Sequence, residues 1–370
     1  MKIANIKIKL NLSTLIIVVL VGFYATSFYA SIVQNAPLLE LLIVGLINGI
    51  IILLSILTHE LSHSIVAQKF GLGVSEIELY LFGGVSKIEE EPKTPKSELL
   101  IAIVGPLSSL LIGMFLLILS FLPITLPTIL SVTLFYSGIS NVGLGIFNLL
   151  PAFPIDGGRL LRAFLWKRRD NLLSATKSAS KVGVAFGYGL MIYGVFQIFT
   201  FGFFNGLWLI LIGSFLRNTA RQSYNQTLNE VALSNISVKE LLSFPIQIPF
   251  DMILSDAIRE YFLTYKRDYF PVVQGQKIVG IIHIADVRRI PIHQRTNYII
   301  GYVMRKISEF PYIDSNQSGK EAIKKLNQLS GQTPIIIVRE VDNNELLGFI
   351  GKEELASSLK YWTLHTQDYN

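Results

Sequence analysis

The strongest constraint on this 370-residue chain is a series of apolar runs close to the length of a bilayer crossing. A spanning helix needs about 20 mostly apolar residues, and six segments approach that: 12–33, 38–67, 99–122, 129–150, 182–197 and 203–216. Charged residues make up 16% of the chain and hydrophobic ones 51%, with a mean hydropathy of +0.50. Soluble domains carry roughly 25% charge, so this chain has too little to coat a water-exposed surface of its size. The expected fold is a polytopic α-helical membrane domain over residues 1–222. The first run is too long for a signal-peptide core and lacks a small-residue cleavage site, so it reads as a retained span.

The net charge of +6 does not indicate a nucleic-acid partner. Lys and Arg gather in alternate connections: Lys2, Lys7 and Lys9 before the first run, then residues 69–96, 159–169 and 217–221. The gaps near Asn35, 123–127 and 200–202 hold none. Under the positive-inside rule this pattern puts the N-terminus and everything beyond the sixth span in the cytosol. The chain has no cysteine, which excludes disulfides, thiolate metal sites and a cysteine nucleophile.

After a polar linker, 223–233, helix-like and strand-like stretches alternate twice with a period of about 65 residues. The first copy runs through 255–258, 269–273 and 278–282, and the second through 320–323, 334–338 and 346–350. A closing helix is expected near Asp286 in the first and near Glu353 in the second. The pattern resembles a tandem pair of CBS domains, α/β in fold, over 234–296 and 297–370. The resemblance implies an adenine nucleotide in the cleft between repeats, with Asp286 holding the ribose, and association into a homodimer. Glu354 stands where the second copy would have its Asp, and His283 and Gly351 replace the usual hydroxyl residues. Those replacements weigh against the nucleotide.

The chemistry is concentrated in His59-Glu60-Leu61-Ser62-His63, an HExxH motif near the end of the second span. Positions i and i+4 share a helix face, so both imidazoles reach one zinc ion. Glu60 is placed to take a proton from a water that the metal polarises. Ionisable groups are costly inside a membrane and usually functional there. A hydrolytic zinc usually has three protein ligands, yet His283, His293 and His365 all lie in the C-terminal repeats. The third ligand is therefore expected to be a carboxylate. Asp156 follows the fourth span, whose C-terminal end lies at the same depth as that of the second. Its alternative role is a helix N-cap with Arg159 as ion partner.

HELSH together with Asn148-Leu149-Leu150-Pro151-Ala152-Phe153-Pro154-Ile155-Asp156-Gly157-Gly158 resembles the site-2 protease family, zinc proteases that cut substrates within the membrane. The resemblance runs from about residue 38 to 166. It implies His59, His63 and Asp156 as zinc ligands, Glu60 as catalytic base, and Asn148 as a residue holding the substrate strand or oxyanion. It also implies single-span membrane proteins as substrates, including membrane-bound transcription or anti-sigma factors, and a multi-pass position in a prokaryotic plasma membrane. Substrate helices hide their carbonyls in i→i−4 bonds and must unwind to be cut. Residues 76–85 alternate like a strand and end in glycines, which suits a hairpin that receives the unwound segment. A CBS-gated transporter or channel would also suit six spans and a CBS pair, but it leaves the HExxH motif unexplained. A structural zinc site would not need Glu60.

Overall fold

The computed structural model describes residues 2–3, 6–80, 83–88, 91–122, 126–242, 246–329, 335–341, 345–352, 354–355 and 357–358. The chain divides into two compact units, Met1–Thr227 and Leu228–Asn370.

In the first unit the long helices are α1 (Thr14–Ile32), α2 (Leu38–Lys69), α3 (Pro95–Ser120), α4 (Thr128–Asn148), α6 (Leu172–Phe201) and the greater part of α7 (Phe203–Asn235), with the shorter α5 (Asp156–Arg169) after α4. Among the described residues, α1, α2, α3, α4 and α6 are long and apolar enough to cross a membrane. The expected sixth span, 203–216, is the first half of α7, and the expected linker 223–233 is helical throughout, within the second half of the same helix. Leu38, Phe115 and Ile192 are 72%, 60% and 71% exposed. Helices that present apolar side chains outward in this way belong in lipid. Small residues let α1 and α2 approach closely: a Cβ on Gly22 would stand 2.8 Å from the Gly45 carbonyl oxygen.

A four-stranded sheet packs on this bundle. Its strands are β1 (Lys2–Ile3), β2 (Ile6–Leu10), β3 (Val74–Tyr80) and β4 (Gly83–Ile88), in that order. β2 pairs parallel with β3, with Ile8 opposite Ile77, and β3 turns back antiparallel onto β4. Ile6, Ile77 and Leu79 bury one face against Ile52, Ile56 and Ile101 of α2 and α3. On this sheet Glu76 binds Lys87 and, at 2.7 Å, Lys9. The two lysines, Lys87 foremost, hold its carboxyl down at about 2. The hairpin expected over 76–85 is present, and Leu81 and Phe82 lie outside the described residues. The Ile6-Lys7-Ile8-Lys9 alternation, expected only to flank the first span, adds a strand with period two.

The second unit repeats one topology twice. β5 (Ile248–Pro249), β6 (Tyr269–Gln274), β7 (Lys277–His283) and β8 (Arg305–Lys306) form one sheet; β9 (Tyr312–Asp314), β10 (Ile335–Arg339) and β11 (Leu346–Gly351) form the other. In each, a short first strand pairs parallel with the central strand, which then returns antiparallel. Ile248 faces Val272 as Tyr312 faces Ile337, and Val272 faces Gly280 as Ile337 faces Phe349. Helix Gly319–Gln328 separates β9 from β10, opened by a reciprocal cap between Ser318 and Glu321. Tyr269 and Ile281 of the first copy share a core with Ile335, Ile337 and Phe349 of the second. Neither sheet buries this face alone, which is why the copies pair. Pro334, Glu353, His365 and the tail beyond 358 are outside the described residues.

Candidate metal centre

His59 and His63 lie one turn apart on α2, their ring centroids 4.8 Å apart and their planes at 76°. Asp156 is the first residue of α5, delivered by the short turn that follows α4. Its Oδ2 stands 3.0 Å from His59 Nε2 and 3.1 Å from His63 Nε2. All three side chains are buried, and their donor atoms lie within 4.8 Å of one another. The fold thus joins the HExxH helix to a carboxylate 97 residues further on.

The outer ring nitrogens are anchored on α3. His63 Nδ1 donates to the carbonyl of Ile101 at 2.6 Å. A carbonyl can only accept, so Nδ1 carries the proton and the neutral ring keeps its lone pair on Nε2, facing Asp156. His59 Nδ1 lies 2.9 Å from Ser109 Oγ. Between these anchors Gly105 leaves space: a Cβ there would sit 2.2 Å from His63 Nε2 and 2.7 Å from His59 Nε2. Glu98, one turn before Ile101, binds Arg162 of α5 through Nε and Nη2, both at 2.5 Å. Glu98, Ile101, Gly105 and Ser109 recur at helical spacing, so one face of α3 meets both histidines and the helix that carries Asp156.

This donor set fits zinc. Two imidazoles with fixed outer nitrogens and one carboxylate make the three-ligand set of a hydrolytic site, and the bare Gly105 face leaves room against both Nε2 atoms.

Glu60, on the same helix, accepts a hydrogen bond from Ser86 Oγ of β4 at 3.0 Å, and Ser86 in turn accepts from Ser64 at 3.1 Å. A Cβ on Gly84 would stand 2.2 Å from Glu60 Cγ, so β4 lies directly against this carboxylate. Asn148 ends α4 half-buried, its Nδ2 donating to the Leu144 carbonyl at 3.0 Å. Among the described residues no hydrogen bond joins it to His59, His63 or Asp156. Arg159 Nη1 is 4.0 Å from Asp156 Oδ1.

In the second unit Asp286 is buried, and its Oδ1 receives Arg305 Nη2 at 2.8 Å and Nε at 3.2 Å. Glu354 is also buried and accepts from the Gly351 N–H at 3.0 Å and from the Tyr269 hydroxyl. His283 Nδ1 accepts the N–H of Ala285 at 2.9 Å, the helix-capping bond that a hydroxyl residue would otherwise make. Burial pushes the His283 imidazole below its usual value, as suits an accepting nitrogen. Asp286, expected at the ribose, is thus engaged by the fold through Oδ1, and Glu354, at the matching place in the second copy, through Oε2.

Motif reading did not single out Ile101, Gly105, Ser109 or Ser86. Gly105 and Ser109 were visible as small residues spaced by one turn in the third span, whereas a backbone acceptor at Ile101 leaves no trace in sequence.

The model of peptidase family M50 matches residues 48–132 and 125–192, and that of the CBS domain matches 238–293. A zinc metalloprotease of Methanocaldococcus jannaschii is 30% identical over 364 residues, spanning 97% of this chain and 94% of that protein. Rip3 of Mycobacterium tuberculosis is 25% identical over 367 residues, spanning 98% and 93%. The solved structure of a site-2 protease from Methanocaldococcus jannaschii has 34% identity and a TM-score of 0.43, over 60% of this chain and 92% of that one. With near end-to-end identity of 30% to a zinc metalloprotease, this chain belongs to peptidase family M50, the site-2 proteases, as a membrane-integral metalloprotease with a C-terminal CBS domain.

Proposed function

We propose that this protein is an intramembrane protease in which His59, His63 and Asp156 hold zinc and Glu60 is the general base. The observation that carries the reading is the meeting of Asp156 Oδ2 with both Nε2 atoms, their outer nitrogens already anchored. Zinc held there would supply a Lewis acid for the peptide carbonyl and would lower the pKa of water toward ~7. Glu60, oriented by Ser86, takes a proton from the attacking water and passes it to the departing amide nitrogen. Ile101 and Ser109 keep the imidazoles in the orientation that this requires. The carboxamide oxygen of Asn148 is left to accept a backbone N–H of the unwound substrate. The outer edge of β4, beside Glu60, suits an extended segment added as a further strand.

The substrates are single-span membrane proteins, such as membrane-bound transcription or anti-sigma factors, cut in regulated intramembrane proteolysis. The lysine and arginine distribution supports the N-terminus and the CBS pair in the cytosol, and the prokaryotic relatives support a prokaryotic plasma membrane. The CBS pair modulates access to the site, and a homodimer formed through it remains part of this reading. An adenine nucleotide at Asp286 would meet Oδ2, since Arg305 holds Oδ1.

The test compares purified protein with Glu60→Gln on a single-span substrate. Cleavage by the parent and none by the variant, with zinc in both, is expected. Equal cleavage by the two overturns the assignment.

A further inference from the structure

We propose that Arg159 is a catalytic residue: its guanidinium donates to the scissile carbonyl oxygen as negative charge gathers there, and afterwards to the new carboxylate. The inference rests on the zinc-protease reading above. In the step it serves, water oxygen bonds to the carbonyl carbon and Glu60 moves one water proton to the amide nitrogen. The C–N bond then breaks, leaving an amine and a carboxylic acid that loses its proton to solvent.

Arg159 lies one turn after Asp156 on α5, its side chain only 21% exposed. A guanidinium offers five N–H donors. Its nearest charged partner is Asp156 Oδ1 at 4.0 Å, and among the described residues no hydrogen bond takes any of its protons. An ion pair formed for its own sake closes to about 2.7–2.9 Å. Arg162, one turn further along the same helix, shows what a structural arginine looks like here. It is 5% exposed, binds Glu98 with two nitrogens at 2.5 Å, and lies over the Phe153 ring at 5.1 Å. The helix therefore spends one arginine on architecture and leaves the other's donors free.

Asp156 divides its oxygens in the same sense: Oδ2 faces the imidazoles and Oδ1 faces Arg159. A mostly buried, loosely paired cation is costly to desolvate. That cost is offset where negative charge arrives during reaction, since donors fixed in a dry site need no reorganisation. The Asn148 amide nitrogen donates to its own helix. Arg159 is thus the charged donor closest to the ligand set that is not committed elsewhere among the described residues.

Full-length protein with Arg159→Gln, Arg159→Lys or Glu60→Gln would be assayed for zinc content and for kcat and KM on a single-span substrate. Inhibition by a short peptide ending in a free carboxylate would be compared with that by its amide. Arg159→Gln is expected to keep its zinc, to lose about 10²-fold in kcat with KM nearly unchanged, and to lose inhibition by the carboxylate peptide. Arg159→Lys should recover part of both. Parent-like kcat in Arg159→Gln, or loss of zinc from it, overturns the proposal; the second result would make Arg159 a positioning residue for Asp156. Glu60→Gln separates the two failures: if it cleaves like the parent, the protease assignment falls and this proposal with it, whereas an inactive Glu60→Gln beside a fully active Arg159→Gln removes this proposal alone.

Discussion

His63 donates its Nδ1 proton to the carbonyl of Ile101 across the α2–α3 contact, at 2.6 Å. Because that acceptor is backbone, no side-chain change at 101 removes it, and the tautomer of His63 is built into the path of α3. Gly105, one turn further along α3, then decides how near this helix can come to the two imidazoles.

Gly105→Ala is the sharpest test of that packing. Alanine favours the helix by about 1 kcal/mol in general, so the fold should survive. The added methyl, 2.2 Å from His63 Nε2 in the present geometry, must push the ring aside. Zinc affinity measured by chelator competition is expected to fall by about 10–100-fold. An unchanged affinity would mean that α3 yields without disturbing the ligands.

Ser86→Ala removes the hydrogen bond that orients Glu60. One such bond is worth about 0.5–1.5 kcal/mol, so kcat should drop by up to roughly tenfold while zinc content stays at the parent level. Steady-state kinetics alongside metal analysis checks both halves of the expectation, and a parent-like kcat would show that Glu60 is held by its own helix alone.

Glu98 and Arg162 are buried together between α3 and α5. Breaking such a pair costs about 3–5 kcal/mol because one charge is left stranded, whereas replacing both members with apolar residues is often neutral. Arg162→Met should therefore lower the thermal unfolding midpoint sharply, and Glu98→Leu added to it should restore most of the loss. A double variant as unstable as the single one would show that the pair carries more than charge balance.

Glu76 gives a pH-dependent prediction. Lys87 and Lys9 hold its carboxyl at about 2 in the folded protein, against a usual 4.5. A depressed carboxyl adds stability that is fully present above the unfolded value and lost as pH falls through the folded one. The gap in unfolding midpoint between the parent and Glu76→Gln should stay constant above pH 5 and close between about 4.5 and 2. A gap that persists at pH 2 would put the stabilisation elsewhere.

Much of this site was legible because its logic is local. HExxH on a helix dictates two imidazoles on one face, and apolar run lengths with basic flanks made it possible to place the ends of the second and fourth spans together, bringing Asp156 into play. What the sequence hid depends on contacts between elements. Asn148 carries the family motif, but its amide nitrogen turns back to Leu144. The Ile101 carbonyl is a property of backbone position. Likewise the Lys2–Leu10 segment looks like a span's basic flank until β3 supplies a partner for it. Asp286 was expected at a ribose by resemblance alone, and its engagement by Arg305, 19 residues on, follows from how β8 lies beside β7.

The most direct measurement is the zinc stoichiometry of purified Asp156→Ala beside that of the parent, read together with cleavage of a single-span substrate. The meeting of Asp156 with both histidines predicts one zinc per parent chain, a sharply reduced content in Asp156→Ala, and loss of cleavage with it. Full zinc and full cleavage in Asp156→Ala would contradict it, leaving Asp156 as the first residue of α5 and nothing more.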